Sequence, residues 1–118
     1  MTIWVDADAM PRAVKEVMYR AAQRRKVDVV LVANAYLTVP QSPHLRAVRV
    51  GSGADVADDY IVEHCASGDL VVSADVPLAA RVVPKGAQVL QPHGRTLDQD
   101  NVDEVLSFRN FNDELRSS

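Results

Sequence analysis

The stretch that most constrains the fold runs from Ile3 to Pro11, because it combines a buried strand, two carboxylates and a helix start. Its opening, Thr2 to Val5, is rich in the β-branched and aromatic residues that a central strand prefers. Asp6 and Asp8 follow, and Pro11 stands where the first turn of a helix tolerates a missing N–H. Open α/β sheets bind ligands at the carboxyl ends of their strands. The stretch therefore predicts two carboxylates at the functional edge of a sheet.

The rest of the chain alternates strands with helices. The continuous apolar run at Asp28–Ala33 is typical of a parallel strand covered on both faces, and Asn34 to Leu45 has the composition of a loop. The patterns predict further strands at Arg46–Val50, Leu70–Ser73 and Ala87–Leu90, and helices at Pro11–Lys26, Ala54–Cys65 and from Asp75 to about Pro84. With right-handed crossovers, this order predicts an α/β fold: a three-layer, doubly wound, mostly parallel five-stranded sheet in a single domain over residues 1–118.

The tail after Pro92 predicts an extra C-terminal helix. Thr96-Leu97-Asp98-Gln99 fits a capping box. A loose apolar stripe follows it, formed by Val102, Val105, Leu106, Phe108, Phe111 and Leu115. We expect this helix to fold back on the body or to meet a second subunit, which would make the protein a homodimer.

Composition excludes several classes of function. A formal charge of −3 argues against coating nucleic acid by bulk electrostatics, but not against handling it through a bound cation. The single cysteine, Cys65, excludes an internal disulfide and a cysteine zinc cluster, and it fits a reducing cytosol. No apolar run approaches the roughly 20 residues of a membrane span, and the N-terminus has no export signal. We expect a cytoplasmic protein with no membrane partner.

Aspartates recur at the predicted carboxyl edge of the sheet. Asp6, Asp8 and Asp75 each follow a strand, and the carboxyl ends of parallel strands share one edge. On a helical wheel of about 100° per residue, a second group shares one face of the second helix: Asp55, Asp58 and Asp59. We expect the two groups to converge.

Clustered carboxylates repel and raise one another's pKa, and a hard divalent cation such as Mg²⁺ relieves that repulsion. The corresponding chemistry is metal-assisted attack of water on a phosphodiester. The candidate catalytic residues are Asp6, Asp58, Asp59 and Asp75. The candidate metal ligands are Asp6, Asp8, Asp59 and Asp75. Taken singly, each aspartate is better explained as a helix cap or a solvated surface residue, but together they favour a site because all of them fall on one predicted edge.

Three further residues are candidate substrate contacts. Ser73 precedes Asp75 by two positions and could orient a water or a phosphate, although a hydroxyl at a strand end is commonplace. Asn34 belongs to the same predicted edge. Arg49 ends the third strand and could reach a phosphate with two hydrogen bonds, although a surface salt bridge is the simpler interpretation.

Five blocks of the sequence together resemble the YaiI/YqxD family of bacterial proteins: Trp4–Pro11, Leu31–Asn34, Val48–Val50, Asp55–Glu63 and Gly68–Ala79. The resemblance covers essentially the whole chain and ends in the tail at residues 109–116. Met10 departs from it, since many relatives carry Cys there, and this argues against an essential thiol at that position. The family is described mainly as uncharacterised, so the resemblance implies the fold more firmly than the activity.

The resemblance also implies a PIN-like domain, a class of Mg²⁺- or Mn²⁺-dependent ribonucleases with a parallel sheet. Asp6 is then similar to the acid of the first strand, Asp58 or Asp59 to the helix acid, and Ser73-Ala74-Asp75 to the Ser/Thr-x-Asp signature after the fourth strand. RNA becomes the implied partner. The additional glutamate of such sites has no clear counterpart, because Glu16, the nearest candidate, lies well along the first helix.

Two rival interpretations remain. Asp6-x-Asp8 also resembles haloacid-dehalogenase-type phosphatases, with Asp6 as nucleophile and Asp8 as general acid. That family needs a strand-end Ser/Thr, then a Lys, then an acidic pair, whereas here the pair Asp58-Asp59 precedes Ser73 and Lys85. The second rival is a non-catalytic module that keeps the acidic edge for binding RNA or a protein.

Overall fold

A computed structural model describes residues 1–8, 10–53 and 55–117, with the side chains of residues 111–114, 116 and 117 excepted. The strands of this part of the chain are β1 (Thr2–Asp6), β2 (Asp28–Ala33), β3 (Leu45–Arg49), β4 (Leu70–Val72), β5 (Gln88–Leu90) and β6 (Thr96–Leu97). The helices are α1 (Arg12–Arg25), α2 (Val56–His64), α3 (Val76–Val82) and α4 (Val102–Ser117), and a short 3-10 turn, Val83–Lys85, follows α3.

The strands form one sheet in the order β3-β2-β1-β4-β5-β6. The first five are mutually parallel, and β1 lies at the centre, with Val5 opposite Leu31 of β2 and Val72 of β4. Only β6 is antiparallel among the described strands. The mixed α/β fold with a mostly parallel sheet is confirmed, but the predicted count of five strands is wrong, because β6 adds a sixth.

The strand β6 also corrects the expected capping box. Thr96 pairs with Leu90 across an antiparallel hairpin, and the Gln91 amide donates to the Arg95 carbonyl at 2.8 Å. The hairpin turn places Gly94 at a φ of 103°, and glycine adopts this left-handed conformation without strain because it carries no Cβ. Thr96 is therefore a strand residue, and α4 begins six residues later, where the Val102 amide donates to the Asp98 carbonyl at 3.0 Å.

The core consists of two clusters, one on each face of the sheet, because successive strand residues point to opposite faces. Ile3 and Val5 belong to the cluster that includes Met18 and Ala22 of α1. Trp4 belongs to the other, which is built with α2, α3 and the start of α4 from Ile61, Leu78, Ala79, Val82 and Val102. Helices thus cover both faces and leave the strand ends as the accessible edges.

The other predicted elements occur within one or two residues of their expected bounds. Ala54, where the second helix was expected to begin, lies outside the described residues, and so does the side chain of Phe111. None of the helices in the described part of the chain is long and apolar enough to cross a membrane.

Candidate acidic site at the switch point of the sheet

The strand order reverses between β1 and β4, which is where doubly wound sheets open a crevice for ligands. A cavity of about 590 Å³ lies at the carboxyl ends of these two strands. Among the described residues, its charged lining is formed by Asp6, Asp55, Asp58, Asp75, Arg81 and Arg109. The fold therefore brings acids from β1, from α2 and from the turn after β4 to one opening.

Ser73 connects the first and last of these acids. Its side chain is fully buried, and its hydroxyl donates to Asp6 Oδ2 at 2.9 Å. The same hydroxyl oxygen accepts the Asp75 backbone N–H at 3.0 Å. Because one hydroxyl makes both bonds, Ser73 sets the position of the Asp6 carboxylate relative to the turn that carries Asp75.

Asp75 has a structural role beside its place in the cavity lining. One of its oxygens, Oδ1, accepts the Leu78 backbone N–H at 3.0 Å and caps the N-terminus of α3. The cap fixes the carboxylate at the helix start, where the helix dipole favours negative charge.

Asp58 is the acid whose ionisation the site perturbs most. Its pKa is raised to about 7, mainly by burial and then by the negative charges of Asp75 and Asp6, a hydrogen bond to the Asp75 side chain and the charge of Asp55. At neutral pH the carboxyl is therefore poised between its neutral and ionised forms. Asp58 can act as a proton donor or acceptor, or it can ionise fully once a cation neutralises its neighbours.

The pKa of Asp6 is also raised. Burial is the main cause, and the charges of Asp75 and Asp8 act in the same direction, whereas the hydrogen bond from Ser73 opposes them. The two perturbed acids stand on different elements of the fold, so their proximity is a product of the tertiary structure.

Two candidate metal ligands lie outside the lining of this cavity. Both oxygens of Asp8 accept backbone N–H groups of the loop after β2, from Asn34 at 2.8 Å and from Ala35 at 3.2 Å. Asp59 forms an ion pair with Arg81 at 2.8 Å on the exposed side of α2. Asp8 thus holds a loop, and Asp59 holds an arginine that lines the cavity.

Two candidate substrate contacts, Asn34 and Arg49, also lie away from the cavity. The Arg49 Nε donates to the Asn34 carbonyl at 3.3 Å, and the guanidinium lies 4.8 Å from the centre of the Tyr36 ring. The two residues belong to the same carboxyl edge, at the ends of β2 and β3, but they form a separate group.

Sequence reasoning missed the cations of the site. Arg81 on α3 and Arg109 on α4 both line the cavity, and the second comes from the tail of the chain. The only sequence signal for Arg81 was its position on the helix that Asp75 opens. Arg109 belongs to the tail that carried the family resemblance, but its location depends on how α4 packs on the body.

Asp69 is a further residue that the sequence did not single out. It is 9% exposed, and it accepts hydrogen bonds from Thr2 N at 2.9 Å, Trp4 Nε1 at 3.0 Å and Ala66 N at 2.9 Å. Burial alone would raise its pKa, but these bonds and the N-terminal ammonium lower it overall. Asp69 secures the start of β1 at the edge opposite the cavity, so its role is structural.

Among the residues that the structure describes, no three His, Cys, Asp or Glu side chains stand in a geometry that would hold a metal ion. Glu16 does not line the cavity, and its carboxylate instead accepts from Arg12 at 3.3 Å along α1. The glutamate that the PIN-like resemblance calls for therefore has no counterpart among the described residues of the lining.

Comparison with known proteins identifies the family. The family model described as "Uncharacterized BCR, YaiI/YqxD family" matches residues 4–118. The chain belongs to the YaiI/YqxD family. Its relatives include a UPF0178 protein of Maridesulfovibrio salexigens, which is 52% identical over all of this chain and 78% of its own length. A UPF0178 protein of Shewanella sp. strain MR-4 is 53% identical over 98% of the chain and 77% of its own length.

A third YaiI/YqxD-type relative, the UPF0178 protein of Saccharophagus degradans, is 52% identical over the whole chain and 78% of its own length. No solved structure matches the chain. The relatives' names state no activity.

Proposed function

We propose that this YaiI/YqxD protein is a PIN-like hydrolase that cleaves phosphodiester bonds of RNA in the cytoplasm with the help of Mg²⁺ or Mn²⁺. The observation that carries the proposal is the convergence of Asp6, Asp58 and Asp75 at the switch point, with the pKa of Asp58 raised to about 7. Strongly perturbed carboxyls in a cleft are a mark of functional sites.

The donor set fits a hard divalent cation. Such ions take oxygen ligands, and Mg²⁺ is commonly held by only one or two carboxylates together with waters and substrate phosphate oxygens. Asp6 and Asp75 would hold the ion as two carboxylate ligands, and waters and substrate oxygens would complete its coordination. In the bound state the ion would supply positive charge to the phosphate oxygens and activate water.

The chain's own residues would do the remaining work. Arg81, aligned by its ion pair with Asp59, can bind a phosphate oxygen at the rim of the cavity. Ser73 keeps Asp6 in place, and Asp58, with a pKa near the working pH, can accept a proton from the attacking water or return one to the leaving oxygen.

A Mn²⁺ titration by calorimetry tests the first step. Wild type should show saturable binding in the millimolar range or tighter, and Asp6→Asn and Asp75→Asn should both lose it. Glu63→Gln is the matched control, because Glu63 is an exposed acid on α2, the helix that carries Asp58. Equal binding by all four proteins would place the metal elsewhere and refute the site.

The second step is a cleavage assay on single-stranded RNA with Mn²⁺, with Asp75→Asn and Glu63→Gln in parallel. Turnover that Asp75→Asn abolishes and Glu63→Gln preserves supports the hydrolase. RNA that stays intact with wild type at saturating Mn²⁺ refutes hydrolysis of that substrate class.

A second candidate function is a non-catalytic module that uses the acidic edge to bind RNA or a protein. Two observations favour it: the described side chains lack a preformed metal geometry, and Glu16 lies away from the cavity. This alternative predicts binding without turnover, so the cleavage assay separates it from the hydrolase.

A further inference from the structure

Tyr36 and Arg49 form an exposed cation–π pair outside the cavity. The Tyr36 side chain is 83% exposed, although tyrosine usually buries its ring. The Arg49 guanidinium lies 4.8 Å from the ring centre, within the range of a cation–π contact. One face of the ring is thus occupied by Arg49, and the high exposure of the residue leaves the other open.

The pair is held in place although it is exposed. Asp8 accepts the backbone N–H groups of Asn34 and Ala35, directly before the tyrosine, and Leu37, directly after it, packs on the core. Arg49 is fixed in turn by the bond from its Nε to the Asn34 carbonyl. Because the chain is fixed on both sides of Tyr36, the segment that presents the ring loses little conformational freedom on binding, and a ligand keeps more of the stacking energy.

The position relates the pair to the acidic site. In the strand register, Asp6 pairs with Val32 of β2, and Val32 pairs with Val48 of β3. Arg49 therefore lies one residue beyond the register position of Asp6. Two strand spacings, about 10 Å, separate β3 from β1. Because strand residues alternate between faces, Arg49 and Asp6 lie on opposite faces of the sheet at the same edge. A ligand that reaches both must cross the edge.

We infer that Tyr36 and Arg49 bind one base of a single-stranded RNA whose neighbouring phosphodiester lies in the acidic cavity. Unpaired bases stack on aromatic rings and on guanidinium planes, whereas the bases of a duplex are already stacked. The depression beside the pair, lined by Ala35, Leu37, Ala47 and Val48, measures about 230 Å³. That volume lies below the roughly 300–1,000 Å³ of pockets that enclose a whole small ligand, so it suits a single planar group.

This inference rests on the proposed function for its substrate class, but it makes a separate claim about affinity. The probe is a fluorescent single-stranded oligoadenylate of about ten nucleotides, and its binding is followed by anisotropy in EDTA and in Mn²⁺. Tyr36→Ala should weaken binding by roughly 5- to 150-fold, the range of one base–aromatic stack. Tyr36→Phe, which keeps the ring, should bind as wild type does. A duplex of the same length should not distinguish wild type from Tyr36→Ala.

Arg46→Ala is the matched control for Arg49→Ala, because Arg46 is an exposed arginine on the same strand, β3. Both substitutions remove one positive charge, but only the loss of Arg49 removes the guanidinium that contacts the Tyr36 ring. We expect Arg49→Ala to weaken binding more than Arg46→Ala. Equal effects of the two arginines, an unchanged affinity of Tyr36→Ala, or a wild type that binds no single strand in either buffer would overturn the inference.

Cleavage of the same strand, scored on gels, separates the two proposals. If wild type never cleaves but Tyr36→Ala loses affinity, the proposed hydrolase activity is refuted and the proposed base-binding role of Tyr36 and Arg49 is supported. If wild type cleaves and Tyr36→Ala matches it in affinity, the proposed base-binding role of Tyr36 and Arg49 is refuted and the proposed hydrolase activity is supported.

Discussion

At neutral pH the Asp58 carboxyl is close to half ionised, because burial and the charges of Asp75 and Asp6 raise its pKa to about 7. The unfolded chain releases that proton near pH 3.8. Between these two values the folded protein holds more protons than the unfolded one, so its free energy of unfolding decreases as the pH rises. Above pH 7 the Asp58 carboxyl is mostly ionised, and its burial and repulsion then lower the free energy of unfolding by their full amount.

Asp58→Asn should therefore stabilise the apo protein at alkaline pH. An uncharged amide avoids the repulsion from Asp75 and Asp6, and we expect a gain of about 1–2 kcal/mol at pH 8, after allowance for partial solvent screening. At pH 5 the wild-type carboxyl is already protonated, so the gain should nearly vanish. Urea unfolding at the two pH values measures the difference.

Glu63→Gln controls for the loss of a negative charge on α2 and should leave the pH dependence unchanged. A gain for Asp58→Asn that is equal at both pH values, or a loss at pH 8, would show that the carboxyl is not held in a repulsive cluster.

The sequence pattern alone does not distinguish the roles of Asp58 and Asp59. Asp58 and Asp59 are adjacent on α2, and a wheel places them on one face within about 100° of each other. Only the packing of α3 separates them, since Arg81 pairs with Asp59 while Asp58 faces the cavity. A choice between neighbouring acids needs the partner helix, and the sequence pattern does not contain its position.

Asp75 has two roles in the fold, because it caps the N-terminus of α3 and also lines the cavity. The helix has only seven residues, so one capping bond is a large share of its end stabilisation. Comparing two substitutions separates the roles, because Ala and Ser both remove the charge but only Ser restores a capping oxygen.

We expect Asp75→Ala to be less stable than Asp75→Ser by about 0.5–2 kcal/mol, the usual value of an N-cap. Both variants should lose Mn²⁺ binding to the same extent, because a hydroxyl does not replace a carboxylate. Urea unfolding and calorimetry on the same preparations test both parts. Equal stability of the two variants would mean that the cap contributes nothing, and Mn²⁺ binding by Asp75→Ser would remove Asp75 from the ligand set.

The elements differ in how well the sequence predicted them. The bounds of β2 matched because its apolar run is buried on both faces, so each residue carries the signal. The two-residue strand β6 was missed because it exists only through its pairing with β5, a nonlocal contact. Its threonine had a helix-cap signature, and tertiary pairing overrode that local preference.

The length of α4 contributes to the elongated shape of the molecule. The longest axis is 49 Å, against 29 and 26 Å for the others, and a helix of 16 residues contributes about 24 Å of length. Val102, Val105 and Leu106, at its start, pack on the core. Farther along, Phe108 is 67% exposed and Leu115 is 58% exposed. The end of the helix that carries Arg109 to the cavity thus also presents apolar surface to solvent.

We propose that this apolar surface is buried against a second copy of the chain, which would make the protein a homodimer through α4. Phe108 and Leu115 lie seven residues apart and so share one face of α4, and contiguous exposed apolar surface marks protein interaction sites. Phe108→Glu should weaken dimerisation roughly 10-fold or more, because it places a charge where an aromatic anchor would be desolvated. Sedimentation velocity across a micromolar concentration series measures the effect. Val17→Glu is the matched control, since Val17 is an apolar residue that is 46% exposed on α1. A wild type that stays monomeric throughout the series, or equal dissociation by both variants, would mean that α4 is not the interface.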